Sequence, residues 1–300
     1  DNATALAEGA LMACRVTKRS KVAVSSTLSP TFQQVIRTYC QAQAIETTTV
    51  PPENPGINGD TACFIVQYPN YFGYIEDLAT QSEAAHEEGA LIVVSTDTTA
   101  LGMFNPPGEL GADIVTAEGQ PLGIPASFGG PYVGLFATKD EYIRQMPSRI
   151  SGRTVDTHGN TGYVLTLQTR EQHIRRERAT SNICTNEALY ALAATVYLAA
   201  MGKQGLRQVA ELCYHKAHYA SAAIAALPGF DLPIDGPFFQ EFVVKCPGSP
   251  SEINRRLLER NILGGLDVSD TTPDGMLLCV TEMNSRQDID DLVSALAEVA

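Results

Sequence analysis

Asp97 is the carboxylate best placed to do chemistry, because it directly follows the apolar run LIVVST. Such a run is typical of a buried strand, and open α/β sheets bind their ligands at the carboxyl ends of their strands. A carboxylate there can accept a charge-assisted hydrogen bond from a protonated ring nitrogen. Aspartate is also common as a loop or helix-capping residue, so both interpretations of Asp97 stay open.

Gln120 follows the next predicted strand, DIVTA at 113–117, and precedes a glycine-rich loop. Glycines in such a loop either let a phosphate approach the backbone or only shape a tight turn. A glutamine amide forms hydrogen bonds, but its nitrogen is not nucleophilic and forms no Schiff base with an aldehyde. None of the six lysines of the chain lies at the end of this strand. The position therefore offers hydrogen bonds and no covalent attachment.

The polar segment TREQHIRRERATSNICT, residues 169–185, concentrates positive charge in an otherwise acidic chain. Its candidate catalytic or binding residues are Arg170, His173, Arg175 and Arg176. Guanidinium groups bind carboxylates and phosphates through paired hydrogen bonds, so the cluster favours an anion site or a partner interface. The alternative is a solvated helix in which Glu171 and Arg175 pair at i,i+4.

Several common site motifs are absent from the sequence. Neither GxGxxG nor GxxxxGK[ST] occurs, which argues against a dinucleotide fingerprint and a P-loop. His215 and His218 lie three residues apart, but no third metal ligand is near, so no metal site is predicted. The seven cysteines are scattered and include no CxxC pair, which argues against a disulfide framework and a zinc ribbon.

The charge balance limits the partners of the protein. Thirty-four acidic residues against 21 basic ones give a net charge of −13, which repels nucleic acid and anionic membrane surfaces. The most apolar run, residues 188–201, is shorter than the roughly 20 residues that a membrane-spanning helix needs. We therefore predict a protein that binds neither nucleic acid nor membrane, and the scattered cysteines favour a cytoplasmic location.

Strands and helices alternate in the first half of the chain. Continuous apolar runs predict strands at 21–25, 63–67, 91–95, 113–117 and 133–137. Helical periods predict helices at 3–16, 30–42 and 74–88. This alternation favours an α/β fold with a mainly parallel sheet covered by helices.

The pattern changes after residue 148. A segment with a small hairpin is predicted first. A helix follows that ends near Met201, is apolar on all sides and is expected to be buried, either in the core or in an interface. Further helices are predicted at 205–227, 251–260 and 286–299, with FFQEFVVKC and GMLLCVT as strands between them. We predict a large α/β domain over 1–186, and long helices with a small α+β domain over 187–300.

Two long strings resemble a known family. NPPGELGADIVTAEGQPLGIPASFGGPYVGLFATKDE and LQTREQHIRRERATSNICTNEAL resemble the P-protein of the glycine cleavage system, the decarboxylating glycine dehydrogenase. They resemble most closely its N-terminal half, which in many bacteria is a separate polypeptide, subunit 1. The resemblance covers essentially the whole chain and implies the aspartate aminotransferase architecture, fold type I of the enzymes that use pyridoxal phosphate (PLP). Family members carry a long segment before DNATALAE, so we expect a truncated N-terminus.

The resemblance also implies roles for single residues. In this family subunit 2 supplies the lysine that holds PLP, and Gln120 takes about the place of that lysine. Asp97 resembles the aspartate that binds the pyridine ring. Asp97 and Gln120 are therefore expected to be vestigial cofactor positions, and PLP is expected to be bound covalently by subunit 2 and not by this chain.

The implied reaction is the PLP-dependent decarboxylation of glycine, followed by transfer of the aminomethyl group to the lipoyl arm of the H-protein. The implied partners are subunit 2, in an α₂β₂ heterotetramer, and the lipoylated H-protein. The chain alone is expected to be inactive. Two alternatives stay open: a self-sufficient PLP enzyme that uses another lysine, and a non-catalytic subunit whose arginines dock the H-protein.

Overall fold

The structure is a computed structural model that describes residues 1–167, 171–183 and 187–299, and the chain divides into two compact units. The first unit comprises Asp1–Val66, Ala79–Ser95 and Pro107–Tyr197. The second comprises Gln67–Leu78, Thr96–Pro106 and Leu198–Ala300. The division into domains at residues 186 and 187 stays a prediction.

The first unit contains the central sheet. Its strands are β1 (Lys21–Ser25), β2 (Glu46–Val50), β3 (Thr61–Tyr68), β4 (Leu91–Thr96), β5 (Ile114–Glu118) and β6 (Gly134–Thr138). They are ordered β2-β1-β3-β4-β5-β6 in a mainly parallel sheet, in which β1 runs parallel to β2 and β3, and β6 is antiparallel to β5. The five strands predicted from apolar runs are all present, with ends shifted by two residues or fewer.

β2 is the strand that the sequence does not predict. It reads ETTTV, is partly exposed and lies at the edge of the sheet, so no apolar run marks it. In the interior strand β4, by contrast, every residue is buried. Continuous burial is what a strand covered on both faces requires.

Helix α1 (Asn2–Thr17) lies in the core of the first unit. Asp1 caps it, because its carboxylate accepts a hydrogen bond from Thr4 N–H at 2.8 Å. The helix is buried from Ala5 to Cys14, and it packs against β5 and the second helix, α2 (Pro30–Gln41). Gly9 permits this packing, since a Cβ at that position would lie 3.1 Å from Val93 Cγ1. The third helix, α3 (Leu78–Glu87), begins four residues later than predicted.

The predicted hairpin is present. Strands β7 (Ile150–Val155) and β8 (Thr161–Thr166) pair antiparallel as a separate two-stranded sheet. In its turn the carboxylate of Asp156 accepts hydrogen bonds from the side-chain amide of Asn160 and from the backbone N–H groups of Asn160 and His158, which lower the pKa of Asp156. A single turn of helix follows at Gln172–Arg175 (α4).

The long helix α5 (Ala188–Ala225) contains the two helices that the sequence predicts. Gly202 breaks the helical backbone with φ 61° and ψ −179°, a conformation that glycine adopts without a steric penalty. Within this chain the first of these helices is partly exposed, so its burial in an interface stays a prediction. Leu189, Leu192 and Val196 are 68%, 59% and 59% exposed, because their spacing of three and four residues places them along one face that the described residues leave open.

The second unit contains a three-stranded antiparallel sheet. Its strands are β9 (Glu241–Lys245), β10 (Leu266–Asp267) and β11 (Gly275–Cys279), in the order β10-β11-β9. Helices α6 (Pro250–Leu258) and α7 (Arg286–Val299) complete the predicted α+β arrangement, and their core includes Ile224, Phe242 and Leu296. Among the described residues, no helix combines the length and the apolar character needed to span a membrane.

Candidate functional site

The start of α1 meets the carboxyl ends of β4 and β5 in the first unit. Asn2 Nδ2 donates to Ser95 Oγ at 2.9 Å, and the backbone N–H of Asn2 donates to Glu118 Oε2 at 3.1 Å. Asn2 is buried, and its Oδ1 has no hydrogen-bond partner among the described residues. A polar cluster therefore lies at the edge where open α/β sheets bind their ligands.

Gln120 lies two residues after β5, and both of its polar parts bond within the chain. Its backbone N–H donates to Glu118 Oε1 at 3.1 Å, and its side-chain Nε2 donates to the carbonyl oxygen of Pro131 at 3.0 Å. The amide thus fastens the glycine-rich loop to the end of β5. Gly119 makes this closure possible, since a Cβ there would lie 2.6 Å from Val133 Cγ1.

Asp97 directly follows β4 and belongs to the second unit. Its Oδ1 accepts hydrogen bonds from the N–H groups of Thr99 and Ala100 at 2.7 and 3.3 Å, and its Oδ2 accepts one from Gln240 Nε2 at 2.8 Å. Burial raises the pKa of Asp97, and these backbone bonds oppose the rise. The carboxylate thus holds the backbone turn that leads from β4 into the short 3₁₀ turn at Ala100–Gly102.

Acidic groups and thiols surround Asp97 in the second unit. Burial raises the pKa of Glu241 to about 7, and the negative charge of Asp97 contributes. Cys213 Sγ lies 3.3 Å from Glu282 Oε2, and burial raises the pKa of this thiol to about 12. In the described part of the chain, no group of three or more histidine, cysteine or carboxylate side chains is arranged to hold a metal ion.

The arginine segment is exposed from Gln172 to Arg178. His173 and Arg175 lie on α4, and Arg176 starts the 3₁₀ turn that follows, while Arg170 lies outside the described residues. Arg176 has a φ of 52°, a backbone conformation that side-chain-bearing residues rarely adopt and that is enriched at functional sites. The structure thus brings three of the four predicted residues together on one exposed stretch.

Sequence reasoning missed two carboxylates of the first unit, Glu118 and Glu8. Glu8 is buried in α1 beside a cavity of about 320 Å³, and its Oε2 has no hydrogen-bond partner among the described residues. Burial raises its pKa, while a hydrogen bond with Ser181 and the positive charge of Arg15 oppose the rise. One signal was present, because Glu8 is the single charged residue in the apolar stretch 2–14.

Comparison with known proteins settles the family. The family model of the glycine cleavage system P-protein matches residues 1–296. A probable glycine dehydrogenase (decarboxylating) subunit 1 from Thermomicrobium roseum is 55% identical over 312 residues, which cover 99% of this chain and 70% of the relative. The chain belongs to the glycine cleavage system P-protein family. The resemblance inferred from the two long strings is therefore confirmed.

Solved structures confirm the fold class. The crystal structure of a glycine cleavage P-protein in inhibitor-bound form matches with a TM-score of 0.96 and 42% identity, over 100% of this chain and 70% of the other. A C-DES variant with glycine covalently linked to its PLP cofactor matches with a TM-score of 0.70, over 100% of this chain and 80% of the other. At 15% identity this second likeness concerns the fold alone. The P-protein chain thus has the α/β architecture of fold type I PLP enzymes.

The residues at the carboxyl edge do not fit the PLP that this fold family implies. Gln120 has no amine for a Schiff base, and its amide already bonds to Pro131. The carboxylate of Glu118 occupies the N–H group at the start of α1. In the second unit, three donors within the chain already engage Asp97.

Proposed function

We propose that this chain is the subunit of a two-subunit P-protein that lacks the PLP lysine, and that a partner subunit supplies it. The observation that supports this proposal is Gln120, an amide just after β5 at the position where the family resemblance implies a lysine. Family membership and the name "subunit 1" printed for the relatives support the existence of a partner. The complex decarboxylates glycine and passes the aminomethyl group to the lipoyl arm of the H-protein, in the cytoplasm of a bacterium.

Two of the six lysines are already engaged within the chain. Lys139 Nζ pairs with Asp113 Oδ1 at 2.6 Å. Lys216 Nζ donates to the carbonyl oxygens of Glu282 and Asn284 at 2.5 and 2.6 Å. Both ammonium groups are therefore already occupied by contacts within the chain. These contacts favour a partner lysine over a self-sufficient enzyme.

Exposed side chains of the first unit support the existence of a partner subunit. Tyr163 and Leu165 of the hairpin and Ile174 of α4 are 73%, 50% and 49% exposed, and Arg175 and Arg176 are exposed as well. Aromatic, aliphatic and arginine side chains are the types that dominate protein interfaces. A two-stranded hairpin is also only marginally stable by itself. We assign this hairpin and arginine surface to the contact with the partner subunit in an α₂β₂ assembly.

The test is to mix purified subunits. With H-protein present, the exchange of the glycine carboxyl group with labelled bicarbonate is expected to be much faster in the mixture than with either subunit alone. A control mixture that replaces this chain with an unrelated acidic protein excludes a nonspecific effect. Equal exchange by the partner subunit alone and by the mixture would contradict the proposal.

A second candidate function is docking of the H-protein without a part in catalysis, which the exposure of Arg175 and Arg176 favours. The double variant Arg175→Gln and Arg176→Gln separates the candidates. Docking predicts a higher KM for H-protein with kcat unchanged, whereas a contribution to the active centre predicts a lower kcat at saturating H-protein. Arg144→Gln and Arg149→Gln, which remove two other arginines of the first unit, form the matched control.

A further inference from the structure

Glu118 holds an unusual position at the end of β5. Its carboxylate accepts hydrogen bonds from three backbone N–H groups: Asn2 at 3.1 Å, Gln120 at 3.1 Å and Val133 at 2.9 Å. The three donors come from the start of α1, from the segment after β5 and from the residue before β6. One side chain therefore joins three parts of the carboxyl edge of the first unit.

The start of a helix at this edge of the sheet commonly forms an anion-binding site. Unpaired N–H groups and the helix dipole favour negative charge there, and open α/β sheets bind phosphorylated ligands at the same edge. In this chain two of those donors are engaged. Asn2 N–H bonds to Glu118, and Thr4 N–H bonds to Asp1 Oδ1 at 2.8 Å.

The side chain of Asn2 also disfavours binding of a phosphate at the start of α1. Asn2 is only 5% exposed and its Oδ1, a hydrogen-bond acceptor, has no partner among the described residues. An acceptor oxygen beside a carboxylate repels the oxygens of a phosphate, which are themselves acceptors. Gly119 keeps the arrangement closed, because only a residue without a Cβ lets Val133 reach Glu118.

We propose that Glu118 is a built-in anion that occupies the start of α1 and so excludes the phosphate of PLP from this chain. The inference rests on the proposed function only for the identity of the excluded ligand. It adds that the chain lacks the noncovalent phosphate-binding site of the cofactor as well as the lysine. A phosphate that entered would have to displace a carboxylate already bound by three N–H groups.

The experiment compares the wild-type chain with Glu118→Ala and Glu118→Gln. Binding of inorganic phosphate and of PLP is measured by calorimetry and by phosphorus NMR. Glu118→Ala is expected to bind phosphate about tenfold more tightly than wild type, because removal of the carboxylate frees donors at the helix start. Glu118→Gln removes the charge and keeps one acceptor oxygen, so an intermediate affinity is expected. Glu109→Ala, which removes an exposed carboxylate of the same unit, should match wild type.

Each outcome decides the inference. Tighter phosphate binding by the Glu118 variants supports it, and Glu118→Gln provides the comparison even where Glu118→Ala does not fold. Equal phosphate affinity of wild type and a folded Glu118 variant overturns it. Wild-type chain that binds PLP without forming a borohydride-reducible lysine adduct overturns this inference alone. A reduced pyridoxyl-lysine on wild-type chain overturns the proposed function instead.

Discussion

Glu241 makes the stability of the second unit depend on pH. Its carboxyl group is partly buried at the start of β9, opposite Cys279 on β11 and near Asp97, and its pKa rises from 4.5 to about 7. The folded state therefore binds more protons than the unfolded state between these two values, so stability falls as the pH rises through this window. At 1.36 kcal/mol for each unit, the shift corresponds to about 3 kcal/mol, and partial solvent contact reduces this to about 2 kcal/mol.

Urea unfolding of wild type and Glu241→Gln at about pH 5 and about pH 8 measures this effect. The variant cannot ionise at this position, so its stability relative to wild type is expected to increase by about 2 kcal/mol from the lower to the higher pH. Asp97→Asn should move the midpoint of the effect to lower pH, because the Asp97 charge contributes to the raised pKa. Asp270→Asn, an exposed carboxylate, is the control. A stability difference between wild type and Glu241→Gln that is the same at both pH values would refute the reasoning.

Three further substitutions test the packing of Gly119 against Val133, the hydrogen bonds of Asp97 and the proposed contact of the hairpin with the partner subunit. Gly119→Ala places a Cβ 2.6 Å from Val133 Cγ1. This substitution is expected to lower the free energy of unfolding by about 1–3 kcal/mol in urea titrations. An unchanged free energy of unfolding would show that the loop moves to accommodate the Cβ. Asp97→Ala removes the acceptor of two backbone N–H groups and of the Gln240 amide, so a loss of about 2 kcal/mol is expected in the same assay. A neutral result would show that these hydrogen bonds do not stabilise the turn. Tyr163→Ser with Leu165→Ser should change stability by less than about 0.5 kcal/mol yet weaken association with the partner subunit about 30-fold in sedimentation experiments, whereas unaltered association would remove the hairpin from the interface.

Much of the fold follows from local sequence patterns. The interior strands are continuous apolar runs, and buried parallel strands require such runs, so β1, β3, β4 and β5 are predictable. Edge strand β2 is not, because ETTTV needs only partial burial. The first helix within α5 differs from its prediction in another way, because one face of it is exposed within this chain. Its composition is apolar on all sides, yet composition does not reveal whether another surface covers the face of Leu189 and Leu192.

The candidate site was predictable in its residue types and not in its contacts. Gln120 and Asp97 stand out because they follow strands, and their position in the chain is visible in the sequence. Their partners are not, since Gln120 bonds to Pro131 eleven residues away and Asp97 bonds to Gln240 in a distant segment. Glu118 escaped notice because a glutamate at a strand end is usually solvated. Its role depends on the close approach of the start of α1, which only the tertiary structure establishes.

The location of the cofactor lysine tests the central claim most directly. The complex of this chain with its partner subunit is reduced with borohydride in the presence of PLP, digested and analysed by mass spectrometry. We expect a pyridoxyl group on a lysine of the partner subunit and on none of the six lysines of this chain. A pyridoxyl group on any of those six lysines, in proportion to activity, would contradict it.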